Sequence, residues 1–318
     1  MPPKMKQEDW TRNKLIKLLD IAKNIHDEEI MNQYAEYTAL KLISISYYKT
    51  VFLNVVKRNE KAKKYYDGAV YIDLFAGTGL VKLKETGDII AGSPVCALSA
   101  NESNFDYAVC VEKDKKKSQV LENRLAKIIP RDQFKVIQGD CNVVIQEVIQ
   151  AIKSKFDNPI VFTFVDPEGM EIKMETLKLL NDSFKAQDFM INVGAQGVLR
   201  VKGKLDKGDM STESTWNEYW GDENAEALLY EISQGIRVED KYQEKIAEVL
   251  GKKFGETIPI KGIPGNIEYY ILAYSRATKG ESKYTKALTM LKERIGKEDK
   301  KSIRRMLDVI SGRNETLF

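Results

Sequence analysis

The chain has 318 residues, of which 43% are apolar and 31% are charged, and its formal net charge is +3. A chain with this apolar share can bury a large core, so an intrinsically disordered protein is not expected. Its longest apolar runs, such as 160–165 and 269–274, are far shorter than the roughly 20 residues that a membrane-spanning helix needs. The N-terminus also lacks the apolar stretch of a signal peptide. We therefore expect a cytoplasmic protein without a membrane span.

The cysteines and the single histidine limit which disulfides, metal sites and catalytic triads the chain can form. Cys96, Cys110 and Cys141 show no CxxC spacing, and their odd number cannot complete a disulfide framework, so a reducing compartment is expected. A histidine-rich metal site or a Ser-His-Asp triad would depend on His26 alone. We predict no metal site, and a structural or solvated role for His26.

The first part of the chain, residues 1–66, is predicted to be a helical extension. Apolar residues recur there at helical spacing between Trp10 and Asn59, without glycine or proline. From Gly68 onward, short β-rich runs alternate with helical stretches, which predicts a parallel, doubly wound α/β sheet. The predicted strands are Ala69–Leu74, Tyr107–Glu112, Phe134–Gln138, Ile160–Val165 and Phe189–Val193. The first four are mostly apolar, as expected for strands that helices cover on both faces.

A helical insertion is predicted at about residues 198–252, after the fifth strand. Two further β-rich runs follow at 257–261 and 268–275, and a Pro264-Gly265 turn signal between them predicts an antiparallel hairpin. Five parallel strands and a hairpin make seven, which is the strand inventory of the Rossmann-like class I methyltransferase sheet. The α/β fold class is therefore predicted with a seven-stranded sheet and a C-terminal antiparallel hairpin.

These elements divide the chain into three predicted regions. The N-terminal helical extension at 1–66 precedes a methyltransferase-like α/β domain at 67–285, which contains the insertion. Residues 286–318 carry apolar residues at helical spacing among many lysines and arginines, which predicts a basic amphipathic C-terminal helix.

The strongest local motif is Asp73-Leu-Phe75-Ala-Gly77-Thr-Gly79, in which an acidic residue ends a buried strand and two glycines follow. Glycine allows a tight turn and close backbone approach to a ligand, while a carboxylate accepts hydrogen bonds from an amine or hydroxyl. We predict that Asp73, Phe75, Gly77 and Gly79 bind the cofactor S-adenosylmethionine. A G-x-G-x-x-G fingerprint would need glycine at Lys82, which leaves a NAD-dependent enzyme as a distant third possibility.

Two more strands end in acidic residues. Glu112 closes the second predicted strand, at the edge of the sheet where ligands of open α/β sheets bind, and is predicted to hold the ribose hydroxyls. Asp140 follows the third strand and is predicted to accept a hydrogen bond from the adenine amine. Three consecutive strand ends thus present a carboxylate in the order that such a cofactor site requires.

The fourth strand runs directly into Asp166-Pro167-Glu168-Gly169. Asp166 and Glu168 are the predicted catalytic residues, because they can orient an acceptor amine or hydroxyl or accept its proton while the cofactor positions the methyl group. An equally weighted alternative is structural: Pro167 and Gly169 shape a turn, and Asp166 caps a helix that begins near Met170.

At this point the sequence resembles the three-Cys-motif partner (TcmP) family of prokaryotic, methyltransferase-like proteins. The matching segments are Trp10-Thr-x-x-Lys14-Leu, Tyr71 to Gly77, Gly92-Ser-Pro94, Val111 to Asp114, Gly139-Asp140, Phe164 to Pro167, Tyr219-Trp-Gly221, Tyr269 to Ser275 and Lys279-Gly280. The resemblance implies a class I methyltransferase fold and an association with a separate three-cysteine-motif protein as partner. It implies no particular substrate.

Departures from related enzymes bear on the substrate. The family reads Asp-Pro-Phe-Gly where this chain has Glu168 in the aromatic position, and DNA amino methyltransferases use an aromatic ring there to hold a flipped base. Cytosine-C5 methyltransferases need a cysteine nucleophile after a proline. No cysteine of this chain directly follows a proline, so the C5 class is not favoured.

Two hypotheses about function follow. The first is an active methyltransferase with a nucleic acid as the leading substrate class, since the lysine runs near 57–64 and 113–117 can attract phosphates and the aromatic segment 216–220 can stack on bases. Solvated lysines and buried aromatics are the more common outcomes of such sequences. The second is a catalytically silent, methyltransferase-like binding subunit of a prokaryotic defence or mobile-element system, motivated by Glu168.

Overall fold

The computed structural model describes residues 6–99, 103–221, 226–251, 253–263, 266–275 and 283–313. Its strands are, in chain order, β1 Asn32–Tyr34, β2 Ala69–Asp73, β3 Leu80–Leu83, β4 Ile89–Ala91, β5 Tyr107–Glu112, β6 Phe134–Gln138, β7 Ile160–Val165, β8 Ala186–Val193, β9 Lys253–Lys261 and β10 Ile267–Ser275. Its helices are α1 Gln7–Ile25, α2 Thr38–Arg58, α3 Glu60–Tyr65, α4 Ser93–Leu98, α5 Lys115–Leu125, α6 Cys141–Lys153, α7 Met174–Ser183, α8 Ala195–Leu205, α9 Glu213–Trp220, α10 Glu226–Ser233, α11 Val238–Leu250, α12 Lys283–Ile295 and α13 Lys300–Ile310. Within these ranges, no helix has both the length and the apolar character needed to cross a bilayer.

Seven of the described strands form one sheet in the order β6-β5-β2-β7-β8-β10-β9. The strands β2, β5, β6, β7 and β8 run parallel, whereas β10 pairs antiparallel with both β8 and β9. This order is that of the class I methyltransferase sheet, and it confirms the predicted α/β fold with its C-terminal hairpin. The predicted Pro264-Gly265 turn and the Lys279-Gly280 segment lie outside the described residues.

Side chains of the central strands alternate between two apolar layers. In β2, Ala69 and Tyr71 belong to one layer and Val70 and Ile72 to the other, and all four are buried. The first layer includes α1, α2, α4, α5, α12 and α13, and the second includes α6, α7, α9 and α11. Because helices cover both faces, ligands reach a sheet of this type at the carboxyl ends of its strands.

The N-terminal extension contains a strand that helical spacing does not predict. Between α1 and α2 the chain forms β1, which pairs in parallel with β3 in a small sheet of order β1-β3-β4. Asn32-Gln-Tyr34 is too short and too polar to show a strand period, so only its pairing with residues 81–83 reveals it. The extension therefore reaches the turn that follows β2.

A buried arginine fixes this extension to the sheet. The Arg124 side chain on α5 has no exposed surface, and its guanidinium donates to Asp27 Oδ1 at 2.5 Å. It also donates to the carbonyl of Thr78 at 2.9 Å and to the carbonyl of Ile30 at 3.1 Å. One cation thus holds the segment before β1 and the turn after β2 together.

The predicted insertion is helical, and its aromatic residues are buried. Trp216, Tyr219 and Trp220 are each 1% exposed, and the Tyr219 ring stacks on Tyr242 with ring centroids 4.4 Å apart. These rings pack α9 against α11 inside the second apolar layer. They are therefore not available to stack on the bases of a bound nucleic acid.

The C-terminal region forms two helices rather than the single basic helix predicted for 286–318. The helix α12 ends at Ile295, just before Gly296, and α13 starts after Asp299, which caps it through the Ser302 backbone N–H at 2.8 Å. The apolar period continues across the break, and for this reason it does not reveal the break. Within the described residues, α12 packs on β9 and α2, and α13 packs on α1.

Candidate functional site

A cavity of about 250 Å³ lies at the carboxyl ends of β2, β5, β6 and β7. Six predicted site residues line it, namely Phe75, Gly77, Glu112, Asp140, Asp166 and Glu168. The strand order places these four ends side by side, so residues that are distant in sequence meet at one edge of the sheet. Gly79 lines a smaller adjoining cavity, and Asp73 lines neither.

Two larger cavities lie elsewhere in the described part of the molecule. One of about 270 Å³ is in the helical insertion, and one of about 450 Å³ lies between α1, β4 and α13. His26 lines the latter. Neither of these two cavities is lined by a residue from the carboxyl end of a parallel strand. The cavity at the strand ends is therefore the candidate site.

The glycine turn after β2 has the backbone conformation that its sequence predicts. Gly77 and Gly79 have φ angles of +61° and +80°, which residues other than glycine rarely adopt. The N–H of Gly92 donates to the carbonyl of Gly79 at 2.8 Å, and a Cβ on Gly92 would lie 2.9 Å from that oxygen. Two chain segments thus approach each other closely beside the cavity.

Asp73 lies beneath this turn instead of facing the cavity. Its carboxyl group is completely buried, and it accepts from the Tyr71 hydroxyl at 2.9 Å and from the Phe75 N–H at 3.2 Å. Ser93 is a further hydrogen-bond partner. Burial raises the pKa of Asp73 to about 7, against the lowering effect of these hydrogen bonds. Its position indicates that Asp73 shapes the turn from below.

Glu112 and Asp140 border the cavity at the ends of β5 and β6. Glu112 accepts from the N–H of Asp114 at 2.8 Å. Asp140 caps the start of α6 by accepting from the N–H of Asn142 at 3.0 Å, and it also accepts from Lys113 Nζ at 3.0 Å. Burial raises the pKa of Asp140, but these partners outweigh it, and the pKa is lowered overall. An ionised carboxylate at this position can accept from a ligand amine.

Asp166 forms a nearly buried ion pair with a residue of the N-terminal extension. Lys41 on α2 approaches one carboxylate oxygen at 2.5 Å, and the Asn192 amide donates to the other at 2.7 Å. The following helix, α7, begins at Met174. The alternative that Asp166 caps that helix is therefore wrong, since these two distant side chains hold the carboxylate instead.

Glu168 is also held by the N-terminal extension. The Tyr34 hydroxyl donates to Glu168 at 3.0 Å and accepts from the Asn32 amide at 3.0 Å. Burial and the nearby Glu168 carboxylate raise the pKa of Tyr34, so the phenol stays a donor. Asn32 and Tyr34 therefore form part of the cavity wall.

The site includes residues that the sequence did not single out: Asn32, Tyr34 and Lys41. A short polar strand gives no periodic signal, and Asn32 and Tyr34 therefore pass unnoticed. Lys41 does give a sequence signal, because it interrupts an otherwise nearly apolar stretch at 39–45. In the structure this residue is only 8% exposed. A lysine within such a run of a buried helix requires a partner, which here is Asp166.

The two lysine runs lie at opposite ends of the parallel strands. Lys57 donates to Asp106 at 2.8 Å, and Asp106 accepts from the N–H of Ala69 at the start of β2. Lys113 and Lys117 instead line the cavity at the carboxyl edge. The two runs therefore do not converge on one surface, and only the second adjoins the site.

No family model matches the sequence, and no curated protein matches it. Among solved structures, the chain is similar to an O-methyltransferase from Bacillus cereus in complex with SAH, at 12% identity, 86% coverage of this chain, 94% of that chain and a TM-score of 0.40. It is also similar to a putative S-adenosyl-L-methionine-dependent methyltransferase from Methanococcus maripaludis, at 12% identity, 89% and 99% coverage and a TM-score of 0.35. Both TM-scores are low, and the fold assignment rests on the strand order.

Proposed function

We propose that this protein is an S-adenosylmethionine-dependent methyltransferase. The observation that carries the proposal is the convergence of the glycine turn with Glu112, Asp140 and Asp166 on one cavity. Glu112 accepts hydrogen bonds from the ribose hydroxyls, and Asp140 accepts one from the adenine amine. The backbone at Gly77, which carries no side chain, would hold the methionine portion.

The proposed acceptor binds beside Asp166 and Glu168. The cofactor supplies a methyl group on a positively charged sulfur. Transfer would form the bond between the acceptor and the methyl carbon and break the bond between sulfur and that carbon. The proton that the acceptor loses passes to one of these carboxylates. Tyr34 and Asn192 keep the two side chains in place, and correct positioning supplies a large part of the rate.

Replacing Glu112 by alanine tests the cofactor site. We expect wild-type protein to bind S-adenosylmethionine in titration calorimetry, and Glu112→Ala to bind it about 10- to 100-fold more weakly, because charge-assisted hydrogen bonds to the ribose are lost. Mass spectrometry of the untreated protein first checks for ligand that co-purifies.

The matched control is Glu122→Ala. Glu122 lies on α5, and its carboxylate is exposed and pairs with Arg131 at 2.9 Å, away from the cavity. This variant should bind like the wild type. Absence of binding and of co-purified ligand in the wild-type protein would remove the support for the cofactor.

The acceptor proposed is a nucleic acid, modified together with a three-Cys-motif partner protein. The run Lys113 and 115–117, of which 113, 115 and 116 are exposed, supports the nucleic acid because Lys113 and Lys117 line the cavity, and phosphates bind to such cations. The family resemblance supports the partner. Transfer of a labelled methyl group to DNA or RNA, with and without the partner, tests both parts. Label appearing only on small molecules or proteins would contradict the nucleic-acid acceptor.

A second candidate is a catalytically silent binding subunit of a prokaryotic defence or mobile-element system. Both oxygens of Asp166 accept hydrogen bonds, from Lys41 and Asn192, which favours a structural use of this carboxylate. A complex isolated from cells should then tolerate Asp166→Asn, which keeps an oxygen acceptor for Lys41 and removes the carboxylate that could take up a proton. Loss of labelled transfer in the same variant, where the wild type is active, would favour the enzyme.

A further inference from the structure

A second, smaller cavity adjoins the candidate site. Its volume is about 40 Å³, which is room for about three water-sized groups and not for a ring. The two cavities share five lining residues, namely Asn32, Tyr34, Phe75, Gly77 and Asp166. The small cavity is therefore an extension of the larger one past the glycine turn.

Lys41 is the one cation among the described residues that line this small cavity. Its ammonium group lies 5.8 Å from the centre of the Tyr34 ring and 5.4 Å from that of Tyr269, in addition to its ion pair with Asp166. An ammonium group has three N–H donors, so a carboxylate such as Asp166 does not exhaust its capacity. Thr38 and Ser93 add hydroxyl groups to the same wall.

The two cavities give a bound cofactor a direction. Glu112 and Asp140 line only the large cavity, whereas Lys41 and Ser93 line only the small one. A molecule whose ribose meets Glu112 and which passes Gly77 therefore directs its opposite end toward Lys41. In S-adenosylmethionine that end is an amino acid, which carries a carboxylate.

We propose that Lys41 binds the α-carboxylate of the methionine portion of S-adenosylmethionine, in the small cavity beside the glycine turn. This inference rests on the proposed function. When the ligand carboxylate pairs with Lys41, Asp166 loses part of its counter-charge while Asn192 still holds its other oxygen. Cofactor binding thereby prepares Asp166 to accept a hydrogen bond from the methyl acceptor.

The test compares two ligands by calorimetry: S-adenosylmethionine and its decarboxylated form, which lacks only the α-carboxylate. Wild-type protein should prefer the intact cofactor by about 10- to 100-fold, since a hydrogen-bonded charge pair is lost with the carboxylate. In Lys41→Met the affinity for intact cofactor should fall by that factor, and the affinity for the decarboxylated form should stay unchanged. Lys41→Arg should retain most of the preference.

The control is Lys57→Met, which removes an ion-paired lysine at the far end of the same helix and should leave both affinities unchanged. Equal binding of the two ligands by wild-type protein would overturn the role of Lys41 and leave the cofactor site intact. An equal loss of both ligands in Lys41→Met would also overturn it, because a purely structural lysine acts in this way. Binding of neither ligand by wild-type protein would refute the proposed function itself.

Discussion

Replacing Arg124 by methionine should lower the free energy of unfolding by about 2–4 kcal/mol, because the buried guanidinium loses its hydrogen bonds to the half-buried Asp27 carboxylate and to two backbone carbonyls. The variant leaves the Asp27 carboxylate without its 2.5 Å partner and the Thr78 and Ile30 carbonyls without their donor. Methionine retains much of the apolar volume, so lost packing contributes less. Urea unfolding of both proteins at neutral pH measures the difference.

The control for this variant is Arg131→Met, because Arg131 forms an exposed pair with Glu122 and should contribute less than about 1 kcal/mol. A wild-type-like stability of Arg124→Met would show that the extension is held by its apolar contacts alone.

The same ion pair predicts an acid-sensitive contribution. Burial raises the pKa of Asp27, but Arg124 and Lys127 outweigh it and lower the pKa to about 2. Because the folded pKa lies below the unfolded value of about 4, this stabilisation is present above pH 4 and is lost as the pH falls toward 2. The stability difference between wild type and Arg124→Met should therefore shrink in that window.

Replacing Asp73 by asparagine should change how stability depends on pH. The buried carboxyl has a pKa of about 7, so the folded state binds its proton more tightly than the unfolded state does. The wild type therefore loses stability as the pH rises from about 4 to about 7, whereas Asp73→Asn cannot titrate there. The stability of the variant relative to the wild type should rise across this window by up to about 4 kcal/mol, which is three pKa units.

Chemical unfolding at several pH values between 4 and 8 measures this trend. Asp182→Asn is the control, because Asp182 is an exposed residue of α7. The stability of this variant should depend on pH in the same way as that of the wild type. If the stability curves of Asp73→Asn and wild type run parallel between pH 4 and pH 8, the folded-state pKa of Asp73 is not raised above its unfolded value.

The sheet was largely predictable because its strands are apolar runs that end in polar residues. The bounds predicted for 107–112, 134–138 and 160–165 agree with those of the structure. In contrast, β1, β3 and β4 were not predicted: each has three or four residues and forms through pairing with distant segments. Such strands carry too few residues for a period to be recognised.

The candidate site was predictable from one side only. Acidic residues such as Glu112 follow buried strands, and the parallel topology brings them together. The sequence therefore indicates the part of the cavity that the strand ends form. Lys41 and Tyr34 meet Asp166 and Glu168 across more than a hundred positions of the chain, and no local pattern encodes those contacts. Asp73 likewise has a hydrogen-bond partner in Ser93, twenty positions along the chain, which no local pattern indicates.

The hydrogen bonds from Gln7 and Thr11 on α1 to Glu298 join residues nearly three hundred positions apart. A ribosome makes α1 before the segment with Glu298, so this part of α1 stays without its partner until nearly three hundred further residues have been made. Contacts of such long range form slowly, and the surfaces that await them are exposed to aggregation. We therefore expect the nascent chain to depend on chaperones until α12 and α13 emerge, however early the central sheet forms.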